Sequence, residues 1–142
     1  RHLLLVLWVI VRYQEIKQLV AQGKQAQILP RVIVVGGYSR PGDTLFLQLI
    51  KLLNKVATIL RKDPQTNRYL RVVFCPNYTT SKEYRFVPAL DVNEQLTLPG
   101  KQGCSTQALK FAMNGSLLLG SRDSTNMRVQ ATFGEHIPVL FG

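Results

Sequence analysis

Acidic residues are scarce in this chain of 142 residues. Eight Asp and Glu stand against eighteen Lys and Arg, which gives a formal net charge of +10 and a pI near 10.1. Such an excess favours polyanionic surroundings, namely RNA, an anionic lipid surface or an acidic protein. The basic residues are spread from Arg1 to Arg128 rather than clustered. The charge by itself therefore does not define a nucleic-acid site.

Charged residues as a whole are also few, at 18% of the chain, whereas apolar residues make up 46%. The apolar share is sufficient for one hydrophobic core, and the length is about that of one domain. A charged fraction this low indicates that part of the surface is covered by other protein. We therefore expect a fragment or remnant of a larger body, with protein subunits of a larger complex as its partners.

Cysteine and histidine are too rare for a disulfide framework or a metal cluster. The chain has Cys75 and Cys104, and its histidines are His2 and His136. Such a composition favours an intracellular location and predicts no metal site. The apolar run 3–11 has nine residues, whereas a membrane helix needs about 20. We expect no transmembrane segment.

Helical and strand patterns alternate along the chain. The helical patterns cover residues 3–22, 44–62 and 106–113, with shorter ones at 81–84 and after Asp123. The strand patterns cover residues 31–37, 70–75, 94–98, 117–120 and 138–141. This alternation predicts an α/β fold with a Rossmann-like parallel sheet and helices on both faces. We expect a single domain over residues 1–142.

Three segments follow predicted strands, at the edge where such sheets bind ligands. They are Gly36-Gly37, Asn77-Tyr78 and the stretch from Lys101 to Thr106. Their position predicts an anion or cofactor site beyond the carboxyl ends of the strands. It does not indicate a type of reaction.

A series of short motifs resembles the C-terminal domain of the glycogen and starch phosphorylases. In chain order they include Val34-Val35-Gly36-Gly37, Asp63-Pro64, Asn77-Tyr78, Val87-Pro88-Ala89 and Lys110-Phe111-Ala112-Met113-Asn114-Gly115. The resemblance extends over almost the whole chain. It implies one half of a GT-B fold, in which two Rossmann-like domains enclose the active site.

The resemblance also implies roles for three residues. The lysine that matches Lys110 holds pyridoxal phosphate as a Schiff base, Thr106 matches a contact of the cofactor phosphate, and Tyr78 matches an aromatic residue beside the cofactor. In that family the cofactor phosphate exchanges protons with inorganic phosphate, which cleaves the terminal glucose from an α-1,4-glucan. From its position alone, Thr106 is more simply explained as an N-cap of the helix that carries Lys110.

The segment before Lys110 departs from the family pattern, which is Glu-Ala-Ser-Gly-Thr-(Gly or Ser)-Asn-Met-Lys-Phe. Gln102 stands in place of a carboxylate that accepts sugar hydroxyl bonds. Ser105 stands in place of a glycine where the backbone approaches phosphate, and Gln107 alters the adjoining turn. These changes predict that the phosphate cradle is damaged and that the cofactor-binding residues are vestigial.

Two hypotheses about function follow. The first is a catalytically inactive phosphorylase-like domain that serves as a structural subunit of a large assembly in contact with RNA, such as an organellar ribosome. It predicts no catalytic residue, no enzyme activity and no cofactor, and places the protein in a mitochondrion or plastid. The alternative is part of a pyridoxal-phosphate-dependent α-1,4-glucan phosphorylase that binds carbohydrate and releases glucose 1-phosphate.

Overall fold

The computed structural model describes residues 2–37, 42–95, 105–134 and 138–141. The chain forms two compact units, Arg1–Tyr78 and Thr79–Gly142. Helices alternate with strands in both units, and every strand pairing among the described residues is parallel. The predicted α/β class with Rossmann-like parallel strands is therefore confirmed. The single domain over residues 1–142 stays a prediction.

The first unit is a two-stranded parallel sheet with two long helices. Its elements are α1 (His2–Ala21), β1 (Arg31–Gly37), α2 (Thr44–Lys62) and β2 (Leu70–Pro76). In the sheet Arg31 lies opposite Leu70, and Gly37 lies opposite Pro76. Since α2 connects the two strands, the three elements form a βαβ unit.

Helix α2 has the bounds that the sequence predicts because both of its ends carry clear signals. At its start the Asp43 carboxylate accepts a hydrogen bond of 3.0 Å from the backbone N–H of Phe46. At its end Asp63 leaves the helix in an extended conformation, as a residue before proline favours. Its apolar face forms the core of the unit together with residues of α1 and β2; the buried members on α2 are Leu53, Val56, Ala57 and Leu60.

Helix α1 is apolar around most of its circumference, yet only one side is buried. Val6, Val9 and Ile16 are at most 1% exposed. Leu4 and Val11, on other sides of the helix, are 69% and 56% exposed. None of the helices in the described ranges is long and apolar enough to cross a membrane.

The second unit is a three-stranded parallel sheet with β4 in the middle. Its elements are α3 (Thr80–Phe86), β3 (Val92–Gln95), α4 (Ser105–Met113), β4 (Leu117–Ser121), α5 (Ser124–Phe133) and β5 (Pro138–Phe141). The buried core joins Ala108 of α4, Leu118 of β4 and Val129 of α5. Strand β3 begins two residues before its predicted start at residue 94, and residues 96–98 lie outside the described ranges.

Helix α5 has ten residues, although the sequence predicts only a turn of helix there. Its N-cap explains the difference. The Asp123 carboxylate accepts hydrogen bonds from the N–H groups of Thr125 at 3.0 Å and Asn126 at 2.8 Å. These bonds satisfy two donors that have no partner inside the helix.

Candidate functional site

Lys110 lies on α4, the helix that packs against the sheet of the second unit. Ala108 and Phe111, on either side of it in the chain, are each 2% exposed and fix the helix on the core. The Lys110 side chain itself is 39% exposed. Its amine can therefore be reached from solvent although the helix that carries it is held firmly.

Thr106 lies one turn before Lys110 on the same helix. A spacing of four residues places the two side chains on one face, and Thr106 is exposed. Helix α4 begins at Ser105, so Thr106 belongs to its first turn. The N–H groups of a first helical turn have no partner within the helix and form its positive end.

The structure adds two residues to the surroundings of the Lys110 amine, both from α3. The Nζ atom of Lys110 lies 3.4 Å from Oε1 of Glu83 and 5.8 Å from the ring centroid of Tyr84. The first contact is an ion pair, and the second is within the range of a cation–π interaction. The Lys110 amine thus has a carboxylate and an aromatic ring as its neighbours.

Glu83 is mostly buried, with a side chain 10% exposed. Within the described residues its Oε1 atom accepts no hydrogen bond, so the contact with Lys110 is one of opposite charges. A buried carboxylate costs free energy unless it is paired or hydrogen-bonded. Lys110 supplies the positive charge that compensates this cost.

Sequence reasoning missed Glu83 because the pair joins two helices that are separated in the chain by a strand. The segment 81–84 has a short helical pattern, but nothing in it indicates which residue the Glu83 carboxylate contacts. The contact depends on how α3 and α4 pack. No local pattern could have predicted it.

Gly120, near the end of the middle strand, and Asn126 of α5 form a tight contact. A Cβ atom at Gly120 would lie 2.5 Å from Nδ2 of Asn126 and 3.1 Å from the backbone oxygen of Gln95. The Asn126 amide donates a hydrogen bond of 2.8 Å to the backbone oxygen of Ser121. Only glycine leaves room for this arrangement, which fixes the segment that follows β4.

Tyr78, the third predicted site residue, is the last residue of the first unit. Its ring occupies the space that a Cβ atom at Gly36 would need. Packing against this ring is therefore a sufficient reason for a glycine at position 36, and a bound phosphate is not needed to explain it. Lys110 and Thr106 belong to the second unit, and the structure brings these two together on α4.

Part of the predicted site lies outside the described residues. This part includes Gln102, Gly103 and Cys104, so the predicted damage to the phosphate cradle stays a prediction. Cys75 is a half-buried free thiol. Over the described ranges, no three His, Cys, Asp or Glu side chains are grouped as a metal site would require.

Comparison with known proteins decides the family. The model of the carbohydrate phosphorylase family matches residues 1–142. The chain is 37% identical to glycogen phosphorylase 2 of Dictyostelium discoideum, 34% to glycogen phosphorylase of Chlamydia trachomatis and 33% to the liver form of human glycogen phosphorylase. Each match covers 100% of the chain. The chain spans 14%, 17% and 16% of these relatives, respectively.

The chain belongs to the carbohydrate phosphorylase family. This membership confirms the resemblance inferred from the motifs. It also corrects the first hypothesis about function, in which the chain was an inactive structural subunit in contact with RNA. That hypothesis is wrong, because the relatives that match all 142 residues are named as phosphorylases. None of these three names refers to RNA or a ribosome.

The prediction that the chain is not an enzyme is wrong for the same reason. It depended on three substitutions in one loop and on the net charge. Both are weaker indicators of function than a family match over the whole chain. A net charge influences solubility, encounter rates and non-specific binding, but it does not identify an activity.

Proposed function

We propose that this chain is the cofactor-bearing part of a pyridoxal-phosphate-dependent α-glucan phosphorylase. The reaction would be the phosphorolysis of an α-1,4-glucan to glucose 1-phosphate, and the partner would be carbohydrate. The observation that carries this proposal is the placement of Lys110. Its amine is partly exposed on a firmly packed helix, one turn after Thr106, in a chain whose relatives are named as glycogen and α-glucan phosphorylases.

The described residues have the chemistry that pyridoxal phosphate requires. Lys110 supplies a primary amine to which the aldehyde can attach. The first turn of α4 supplies N–H groups that have no partner within the helix and a hydroxyl, that of Thr106, and helix N-termini favour phosphate. Tyr84 supplies an aromatic ring close to the Lys110 amine. An amine, an anion-binding helix end and an aromatic surface together fit this cofactor.

Each residue then has a distinct task. Lys110 anchors the aldehyde, and since a neutral amine is the form that adds to a carbonyl, its ion pair with Glu83 has to open first. Thr106 offers a hydroxyl to the phosphate. Glu83 holds the amine in place before attachment. Pyridoxal phosphate, when bound, supplies a phosphate group that exchanges protons with the inorganic phosphate substrate.

The glucan and the second Rossmann-like domain belong to the proposal for the whole protein. The chain spans only 14% to 17% of its relatives. We therefore assign to it the anchoring of the cofactor and not the whole active site.

Reduction with borohydride tests the assignment of Lys110, because it makes a link between an amine and an aldehyde cofactor permanent. The full-length protein is loaded with pyridoxal phosphate, reduced and digested, and the peptides are weighed by mass spectrometry. We expect the reduced cofactor on Lys110 and its loss in Lys110→Ala. Lys82→Ala, which removes another lysine of the same unit, is the matched control and should keep the label. A label on other lysines, with Lys110 unmodified, would contradict the proposal.

A further inference from the structure

A cleft in the first unit, remote in sequence from Lys110, has the features of an anion site. It lies between the end of α2 and the face of β2, and its volume is about 310 Å³. Two arginines line it, Arg61 from the last turn of α2 and Arg71 from β2. A cavity of this size accommodates a small organic ligand.

Asn67 connects the two walls of the cleft. The Nε atom of Arg71 donates a hydrogen bond of 3.0 Å to the backbone oxygen of Asn67. The side-chain amide of Asn67 in turn reaches the backbone oxygen of Arg61 at 3.4 Å. The Arg71 guanidinium is therefore oriented through Nε, and since no hydrogen bond of its two terminal nitrogens is found within the described residues, these can donate to a ligand.

Among the described residues, no acidic side chain compensates the positive charge of the cleft. Within the described residues no carboxylate lies within 4.0 Å of Arg61 or Arg71; the ion pairs found there are Arg12–Glu15 and Lys110–Glu83. The first unit as a whole has twelve Lys and Arg but three acidic residues, namely Glu15, Asp43 and Asp63. Two like charges that share a cleft repel each other, so an anion between them would lower the free energy.

The remaining lining of the cleft is apolar. Ala57, Leu60 and Val72 are 6%, 2% and 6% exposed and form its floor. Val73, which also lines it, is 48% exposed. A fully hydrated ion gains no free energy from contact with apolar side chains. The organic part of an ester would remove these side chains from water, which is favourable.

We propose that this cleft binds a phosphate monoester, with the phosphate between Arg61 and Arg71 and the organic part on the apolar floor. A phosphate monoester carries a charge of about −1.5 to −2 at pH 7. This charge matches two guanidinium groups, whose planar array of donors suits phosphate oxygens. The proposal does not depend on the function proposed for Lys110.

Arg61 has a second possible role, because a cation in the last turn of a helix stabilises the negative helix end. That role does not extend to Arg71, which lies on a strand. The two arginines can therefore be separated by experiment. A ligand site needs both, whereas stabilisation of the helix end needs Arg61 alone.

The test uses phenyl phosphate as the probe and hydrogen–deuterium exchange of the full-length protein as the readout. We expect saturable protection of peptides that cover residues 61–73. Phenol, which lacks the phosphate, should give no protection. Arg61→Gln and Arg71→Gln should each raise the concentration needed for half-protection by about ten-fold or more, which corresponds to about 1.4 kcal/mol.

Lys51→Gln is the matched control. Lys51 is an exposed base of the same helix and does not line the cleft; at 1.5 Å per residue it lies about 15 Å from Arg61. Its removal should change the half-protection concentration by less than about two-fold. An equal effect of all three substitutions would mean diffuse attraction to a basic surface and would overturn the proposal. Unchanged protection in Arg71→Gln would overturn it as well.

Discussion

At the scale of single residues, the proposed function depends on the contact between Lys110 and Glu83. The carboxylate is mostly buried, and the amine beside it is partly exposed. In the proposed function this ion pair has to open before the amine reacts, because only the neutral amine adds to an aldehyde. Glu83 would then set how often the amine is free, without touching the reacting carbonyl.

Glu83→Gln should accelerate the attachment of pyridoxal phosphate to Lys110. The substitution keeps the shape of the side chain and removes the charge that holds the ammonium. A partly exposed ion pair contributes up to about 1 kcal/mol, so we expect an increase in rate of up to about five-fold at neutral pH. The rate is measured from the absorbance of the cofactor after it is added to cofactor-free protein.

Asp91→Asn is the control for this substitution, since Asp91 is an exposed acid of the same unit. It should leave the attachment rate unchanged. A slower attachment in Glu83→Gln than in the unmodified protein would show that the ion pair assists the reaction. That result would contradict the role given to Glu83.

The residues of the candidate site differed in how far they could be predicted. Lys110 and Thr106 belong to one continuous motif on one helix, so their proximity follows from the helical period. Glu83 and Tyr84 reach Lys110 from another helix, through packing that no local pattern encodes. Sequence alone therefore predicted the proximity of Lys110 and Thr106 and missed the residues of α3 that contact Lys110.

At the scale of elements, one hydrogen bond ties α1 to the end of α2. The Tyr13 hydroxyl donates to Oδ2 of Asp63 at 2.8 Å across fifty positions of the chain. Burial tends to raise the pKa of Asp63, but the bonds from Tyr13 and the Gln65 N–H and the charge of Lys17 outweigh it, so the pKa lies below 3.8. The same bond to a carboxylate is the main reason why the pKa of Tyr13 is raised.

Tyr13→Phe should lower the free energy of unfolding by about 1 kcal/mol at neutral pH, the usual contribution of such a bond. The Asp63 carboxyl has a lower pKa in the folded chain than its ordinary value of 3.8. Its contribution is therefore complete above that value and is lost as the pH falls through the folded pKa. Urea unfolding should show a difference between the two proteins at pH 7 that shrinks in acid.

Tyr69→Phe is the control for the hydrogen bond. Tyr69 is a half-buried tyrosine of the same unit, and its substitution should change stability by less than about 0.5 kcal/mol. A difference between Tyr13→Phe and the unmodified protein that stays constant from neutral to acid pH would contradict the link to Asp63.

The elements themselves were predictable wherever their ends carry local signals. Helix α2 has its predicted bounds because Asp43 and the Asp63-Pro64 pair fix both ends. Strand β5 has its predicted bounds as well. Strand β3 was misplaced, because the segment 92–95 contains one apolar residue, Val92. Its position in the sheet depends on pairing with β4.

At the scale of the whole molecule, the net charge of +10 was the least reliable guide to function. The charge suggested a partner made of RNA, whereas the family match over all 142 residues identifies a carbohydrate phosphorylase family member. Most of the excess lies in the first unit, which has twelve basic and three acidic residues. Lys110 lies in the other unit. The predicted intracellular location stays a prediction.

The most direct test of the central claim is phosphorolysis by the full-length protein. With glycogen, inorganic phosphate and pyridoxal phosphate supplied, we expect release of glucose 1-phosphate. Lys110→Arg, which keeps the charge but cannot anchor the aldehyde, should lower the rate by about 10²-fold or more. Equal rates in the two proteins, or no glucose 1-phosphate from the unmodified protein loaded with cofactor, would contradict the account.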